Sequence, residues 1–241
     1  MQLKGIVLAG GTGSRLMPLT KVTNKHLLPV GQKPMIFYPI EKLTSIGIEE
    51  ILIVTGVDHM GDVVNLLGSG KDFKCRFTYK VQDQAGGIAQ ALALAENFAD
   101  NQPMVVILGD NVFQSSLKDY ADKFIAQKNG ARILLKQVLN PQRFGVAEII
   151  EGKVAGIEEK PKVPKSDYAV TGIYFYDVNV FDIIRTLKPS ARGEYEITHV
   201  NDAYIAKDQL AYDILDGWWT DAGTFESLNK ANDLVSENPP E

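Results

Sequence analysis

Short, almost wholly apolar runs recur through the first half of the chain, and they constrain the fold more than any other feature. Ile6-Val7-Leu8-Ala9 ends in glycines, and Ile51-Leu52-Ile53-Val54-Thr55 stops at Gly56. Phe77-Thr78-Tyr79-Lys80-Val81 leads to Gln82, Met104-Val105-Val106-Ile107-Leu108 stops at Gly109-Asp110, and Ile133-Leu134-Leu135 follows. A strand that is apolar at both parities has no face to give to water. Such runs belong in a parallel sheet covered by helices on both sides.

Segments of helical length separate the runs. Pro34 to Ser45 carries Met35, Ile36, Tyr38, Ile40 and Leu43, with Gly47 beyond its end. Gly61 to Leu67 and the Ala- and Leu-rich stretch Ile88 to Phe98 follow later strands. Leu117 to Gln127 is amphipathic, with Gly130 as a stop. Strand alternating with helix predicts an α/β protein, a Rossmann-like three-layer α/β/α fold with right-handed crossovers and a mostly parallel central mixed sheet. Beyond about residue 140 the pattern changes. Residues 146–150 and 153–159 read as strands joined by the hairpin signal Glu151-Gly152, and 168–176 reads as another. Helices at about 178–187, 197–207 and 224–236 finish the chain. With no linker or repeat, 1–241 reads as a single domain with two halves, about 1–140 and about 141–241.

Composition excludes several classes of function. The 241 residues hold 25 basic and 30 acidic side chains, a net charge of −5. That balance disfavours nucleic acid or an anionic membrane as a partner. Cys75 is the single cysteine, so neither an internal disulfide nor a cysteine zinc site is available. No run approaches the ~18 apolar residues of a membrane span. Met1-Gln2-Leu3-Lys4-Gly5 lacks a signal-peptide pattern. A cytoplasmic setting is expected.

The loop after the first strand, Leu8-Ala9-Gly10-Gly11-Thr12-Gly13-Ser14-Arg15-Leu16, lets backbone N–H groups approach phosphate oxygens. It is not a P-loop, because no Lys-Ser or Lys-Thr follows the glycines. Nor is it a dinucleotide fingerprint, because Leu16 stands where the third glycine belongs. Arg15 and Lys25 place two cations just downstream, suited to charge-assisted bonds with a triphosphate. A tight turn with solvated basic residues is the plainer alternative.

The stretch Leu8 to Leu16, then Pro18, then Lys25-His26-Leu27-Leu28-Pro29, resembles the signature of the sugar-nucleotide pyrophosphorylases, and within them the glucose-1-phosphate thymidylyltransferase branch. The likeness runs from about residue 4 to about residue 235. It implies a nucleotidyltransferase fold and a reaction joining dTTP to glucose-1-phosphate, with dTDP-glucose and pyrophosphate as products and Mg²⁺ as cofactor. In that frame Arg15 clamps the β- and γ-phosphates, Lys25 meets the α-phosphate and Lys160 the sugar phosphate. Leu8, Gly10, Gly11, Thr12, Gly13, Gln82, Gly87 and Asp110 would hold the nucleotide. Asn111, Gly145, Glu159, Lys160, Val170 and Tyr174 would hold the sugar phosphate.

Leu108-Gly109-Asp110 and Trp219-Thr220-Asp221-Ala222-Gly223-Thr224 match the family motifs whose aspartates bind the metal. Taken alone, each Asp reads first as a helix or turn cap. Thr220 and Ala222 depart from the residues common in relatives. Phe144 replaces a tyrosine in Arg143-Phe144-Gly145-Val146, which removes a hydroxyl from the sugar side. Arg192-Gly193-Glu194-Tyr195-Glu196-Ile197-Thr198 matches a further motif, with His199 in place of Asp; it reads either as a helix-start cap or as a pocket wall.

Two other readings stand beside this one: uridylyl transfer from UTP on the same scaffold, and a non-catalytic nucleotide-binding regulatory subunit. The chain stops soon after its last helix. A short form without a separate feedback site is therefore expected, and assembly as a homo-oligomer is left open. The resemblance also implies service in activated deoxyhexose or rhamnose synthesis.

Overall fold

The computed structural model describes residues 2–241. Among these described residues, thirteen strands are interleaved with eight α-helices. β1 (Lys4–Ala9) is followed by the glycine loop and three single 3₁₀ turns, then by a two-residue ladder of β2 (Pro29–Val30) and β3 (Lys33–Pro34). Next come α1 (Phe37–Ser45), β4 (Glu50–Gly56), α2 (Met60–Leu67) and β5 (Arg76–Gln82). α3 (Ile88–Ala93), α4 (Glu96–Ala99), β6 (Met104–Leu108), β7 (Asn111–Phe113), α5 (Lys118–Gln127) and β8 (Ala131–Gln137) complete the first part. The second part holds β9 (Gly145–Ile150), β10 (Lys153–Glu159), β11 (Tyr168–Tyr176), α6 (Val180–Thr186) and α7 (Ile197–Ala206). β12 (Leu210–Ile214), β13 (Trp219–Asp221) and α8 (Phe225–Glu237) end it.

The main sheet has nine strands in the order β10-β9-β11-β6-β1-β4-β5, with β8 joined to β11 and β12 to β8. β6, β1, β4 and β5 run parallel. β11 closes antiparallel on β6 and carries the second part of the chain onto the same sheet. The apolar runs divide by parity. Ile6, Leu8, Leu52, Val54 and Val106 pack beneath α3, α4, α6 and α7. Val7, Ala9, Ile51, Ile53, Val105 and Ile107 pack beneath α1, α2 and α5. A third cluster seats α8, through Leu228 and Ala231, on Leu16, Val30, Met35 and Val112.

Three expectations need correction. The run Phe77–Val81 is not covered on both faces: β5 is an edge strand whose Arg76, Thr78 and Lys80 point to solvent. The helix expected from Pro34 begins at Phe37; Met35 and Ile36 form a turn before it, with Met35 N–H donating to Leu28 O (2.9 Å) and Ile36 N–H to His26 O (2.9 Å). The segment 88–98 breaks between Ala93 and Glu96 into two short helices.

Strand order fixes where a ligand can sit. The chain moves from β1 outward to β4 and β5, then returns to the other side of β1 for β6. The helices leave the sheet in opposite directions at that point, which opens a crevice beyond the carboxyl ends of β1 and β6. The glycine loop occupies one lip and Gly109-Asp110 the other.

Candidate active site

Two three-residue strands assemble the acidic centre. Gly109 N–H donates to Leu8 O (2.9 Å), which extends the β1–β6 pairing by one residue before the chain turns at Asp110. β7 then pairs antiparallel with β13, setting Asn111 opposite Asp221, and Ala222 N–H donates to Asp110 O (2.8 Å). The two aspartates thereby meet. A Cβ placed on Gly223 would lie 3.2 Å from Asp221 Oδ2, 3.4 Å from Asp110 Oδ2 and 3.5 Å from an Arg15 guanidinium nitrogen. Neither aspartate caps a helix. Asp110 precedes a strand, and α8 is capped by Thr224 and Ser227 in a reciprocal capping box.

Cations face both carboxylates. Lys25 Nζ lies 2.6 Å from Asp110 Oδ2, and Arg143 Nη2 lies 3.3 Å from both oxygens of Asp221. Burial alone would raise the Asp110 carboxyl; the Lys25 charge and the hydrogen bonds from Lys25 and Asn111 outweigh it and hold the group well below the carboxylate range. Asp221 is shifted upward, first by burial and then by the negative charge of Asp110, against the pull of Arg143, Arg15 and Lys25. A pair of carboxylates under mutual repulsion suits a divalent cation. Among the described residues no cluster of three or more His, Cys, Asp or Glu could hold a metal. The site therefore fits an ion that takes one or two carboxylates and fills its shell with phosphate oxygens and water, as Mg²⁺ does.

Asn111 ties this centre together. Its Oδ1 accepts from Gly172 N–H (3.1 Å) and Trp219 Nε1–H (2.6 Å), while its Nδ2 donates to Asp110 Oδ1 (3.3 Å). Gly172 is required here, since a Cβ there would stand 2.4 Å from Asn111 Nδ2.

His26 lies directly behind the acidic turn, fully buried, with Nδ1 2.7 Å from Asn24 Oδ1. Burial, reinforced by the Lys25 charge, lowers its pKa from 6.5 to about 3. At neutral pH it is therefore uncharged, and Lys25 alone supplies positive charge to Asp110 from this side. In the unfolded chain the ring protonates near 6.5, so between 6.5 and about 3 the unfolded state binds the extra proton. Stability is thus complete above 6.5 and falls with pH, by about 1.4 kcal/mol per pH unit. Urea unfolding at about pH 7 and about pH 5 should show the parent losing about 2 kcal/mol more than His26→Gln. Equal losses would remove His26 as the source.

The acidic centre opens into a cleft of about 360 Å³. Its walls include Leu8, Gly10, Gly11, Arg15, Lys25, Gln82, Gly87, Asp110, Asn111, Gly145, Glu159, Lys160, Val170, Tyr174 and Asp221, which are all the foreseen site residues but two. Thr12 instead lines a smaller neighbouring pocket. Gly13 lines neither; its left-handed backbone, φ 61°, packs against Thr20 and the Lys25 stem.

On the far side, Glu159 is held from three directions. Thr198 Oγ1–H donates to Oε2 (3.1 Å), Arg192 Nη1 lies 3.3 Å from Oε1, and Lys160 Nζ lies 3.4 Å from Oε1. Tyr174 keeps its phenolic proton, since burial first, then Glu159 and Asp110, push its pKa far up. The segment after Arg192 resolves as pocket wall: Arg192, Glu194, Ile197 and Thr198 face the cleft, and Glu196 makes no side-chain cap to α7. His26, Arg143, Arg192 and Thr198 were not foreseen as site residues. The sequence signal for Arg143 and Arg192 was their place inside motifs already noted. His26 and Thr198 also lie inside quoted motifs, and nothing else marked them.

At the other end, Gln82 is buried at the tip of β5. Its Nε2 donates to Gly87 O (3.1 Å) and to Gln90 Oε1 (2.8 Å). Its Oε1 takes no donor among the described residues and faces Gly10, where an added Cβ would stand 2.8 Å away.

Comparisons with known proteins point to one family. A family model described as nucleotidyl transferase matches residues 4–238. A glucose-1-phosphate thymidylyltransferase of Neisseria meningitidis is 45% identical over 97% of this chain and 82% of its own length. One from Mycolicibacterium smegmatis is 43% identical over the same shares. A Bacillus anthracis crystal structure assigned to the same activity, in complex with sucrose, superposes with a TM-score of 0.94 at 60% identity, covering 97% of this chain and 95% of that one. A UDP-glucose pyrophosphorylase bound to UDP-glucose reaches a TM-score of 0.85 at 26% identity, covering 98% and 99%. With a family model spanning nearly its whole length and relatives above two-fifths identity, the chain belongs to the nucleotidyl transferase family.

Proposed function

We infer that this chain transfers a thymidylyl group from dTTP to glucose-1-phosphate, giving dTDP-glucose and pyrophosphate. One observation carries the chemistry: Arg15, Lys25 and two carboxylates converge in a single cleft whose wall also carries Lys160 and Glu159. The names of the relatives support the choice of nucleotide and sugar.

The attacking oxygen belongs to a phosphate that is already anionic. No general base is required, so catalysis reduces to alignment and charge neutralisation. Arg15 holds the departing β- and γ-phosphates, and Lys25 the α-phosphate. Lys160 draws the sugar phosphate in against like-charge repulsion. Glu159, braced by Thr198 and Arg192, accepts hydrogen bonds from sugar hydroxyls, and Gly145 offers its backbone beside it. Tyr174 and Val170 form the floor. Asp110 and Asp221 would hold Mg²⁺, which would supply charge neutralisation at the triphosphate. The open Oε1 of Gln82 accepts from a pyrimidine N3–H, a group that thymine and uracil share.

The deciding assay is pyrophosphate release with glucose-1-phosphate and Mg²⁺, comparing dTTP with UTP, CTP, ATP and GTP. Preference for dTTP upholds the reading. Equal or faster turnover with UTP moves the activity to uridylyl transfer, since a single methyl is worth roughly 1–3 kcal/mol in a fitted pocket. No turnover with any of the five overturns it.

A further inference from the structure

We propose that Gln90, a residue outside the cleft wall, is the positioning residue that makes the enzyme reject cytosine. A carboxamide can present either its oxygen or its NH₂ to a ligand, and the two ends differ little in shape. Gln82 alone is therefore an ambiguous reader of a base. Its neighbours remove the ambiguity in a chain of three bonds.

Gly86 N–H donates to Gln90 Oε1 (3.1 Å), which fixes Gln90 with its oxygen toward the loop. That oxygen then faces Gln82 at 2.8 Å and demands a donor, so Gln82 must turn its NH₂ inward. Gly87 O, 3.1 Å from the same nitrogen, adds a second acceptor. Flipping Gln82 would break both bonds and set its oxygen against two others. Gly86 has no side chain to interfere: a Cβ there would fall 2.4 Å from Gln90 Oε1. The oxygen of Gln82 is thereby committed to the cleft as an acceptor. Thymine and uracil carry a hydrogen on N3 and satisfy it. Cytosine carries a lone pair on N3 and meets oxygen with nitrogen, both acceptors, in a site where the unmade bond is costly. Adaptation to cytosine requires the flip that Gln90 opposes.

This inference rests on the proposed nucleotidyl transfer from a pyrimidine nucleotide. The test measures kcat/KM for dTTP and dCTP, with glucose-1-phosphate held fixed, in the parent, Gln90→Leu and Gln90→Glu. Gln90→Leu removes the acceptor, and the dTTP-over-dCTP ratio should fall about tenfold, the equivalent of one hydrogen bond. Gln90→Glu keeps an acceptor oxygen toward both Gly86 N–H and Gln82 Nε2, and should retain the parent ratio. If Gln90→Leu does not fold, Gln90→Asn withdraws the oxygen by one methylene and should lower the ratio instead. An unchanged ratio in a folded Gln90→Leu or Gln90→Asn overturns the proposal, as does equal loss on both nucleotides. Failure of the parent to use dTTP at all would instead overturn the function proposed above.

Discussion

Arg15→Ala is expected to lower kcat/KM by about 10²–10³ while leaving the melting temperature within about 2 °C of the parent. The separation follows from where the side chain sits. Arg15 lies on an exposed single turn after the glycine loop. Among the described residues its guanidinium forms no hydrogen bond and no ion pair, yet one of its nitrogens lies 3.5 Å from where a Cβ on Gly223 would stand, a position also within 3.4 Å of a carboxylate oxygen of each aspartate. A solvated side chain without partners contributes little to folding, and substitutions of that kind stay within about 0.5 kcal/mol. A bidentate cation beside a leaving pyrophosphate is another matter, because its bonds strengthen as charge develops there. Steady-state kinetics and a thermal melt on the same sample decide it. A melting temperature that collapses along with activity would show the assignment to be wrong.

Asp110→Ala should lower both activity and stability, and the two losses should come apart in a double variant. Lys25 and Asp110 are each 13% exposed. Removing the carboxylate strands a mostly buried ammonium, which costs about 3–5 kcal/mol. Relief of the like-charge pressure on Asp221 offsets part of this, for a net loss of about 2 kcal/mol in urea unfolding. Replacing the pair together, with Lys25→Met added, should recover most of that stability, because no charge is then left unpaired. Activity should not recover, since the proposed metal ligand and the proposed α-phosphate cation are both gone. We expect turnover at least about 10³-fold down in the single and the double variant alike. Full stability in Asp110→Ala would show that Lys25 is adequately solvated without its partner.

The inner parallel strands β1, β4 and β6 were legible because they must be apolar at both parities. Ile6 and Val7 point to opposite layers, and both are buried. The hairpin at Glu151-Gly152 was equally legible, and β9 and β10 pair around it. β7, β12 and β13 were not. β7 and β13 hold three residues each, too few to show a period, and each is a strand only because the other lies beside it. β12 is half-buried up to its exposed last residue, Ile214, and extends β8 at the end of its branch. Of the site, the residues that sit in compact motifs could be named, and the cleft gathers nearly all of them. The partnerships could not. That Arg143 leans on Asp221, or that Thr198 holds Glu159, depends on chain segments that meet only in the folded protein. Arg192-Gly193-Glu194 left two readings open for the same reason, since clustered charges look alike on a helix start and on a pocket wall.

The edge strand β5 has a meaning beyond its place in the order. A sheet that ends in unpaired N–H and C=O groups can template a stranger's backbone, and amyloid-like stacking begins from such rims. Here Arg76, Thr78 and Lys80 project from one face of the rim, while Phe77, Tyr79 and Val81 are drawn partly under cover on the other. A second chain that approached in register would bring Lys80 and Arg76 against their own counterparts. The alternation that spoiled a simple reading of this run as a core strand thus serves as a guard against self-association, placed on the strand whose tip carries Gln82.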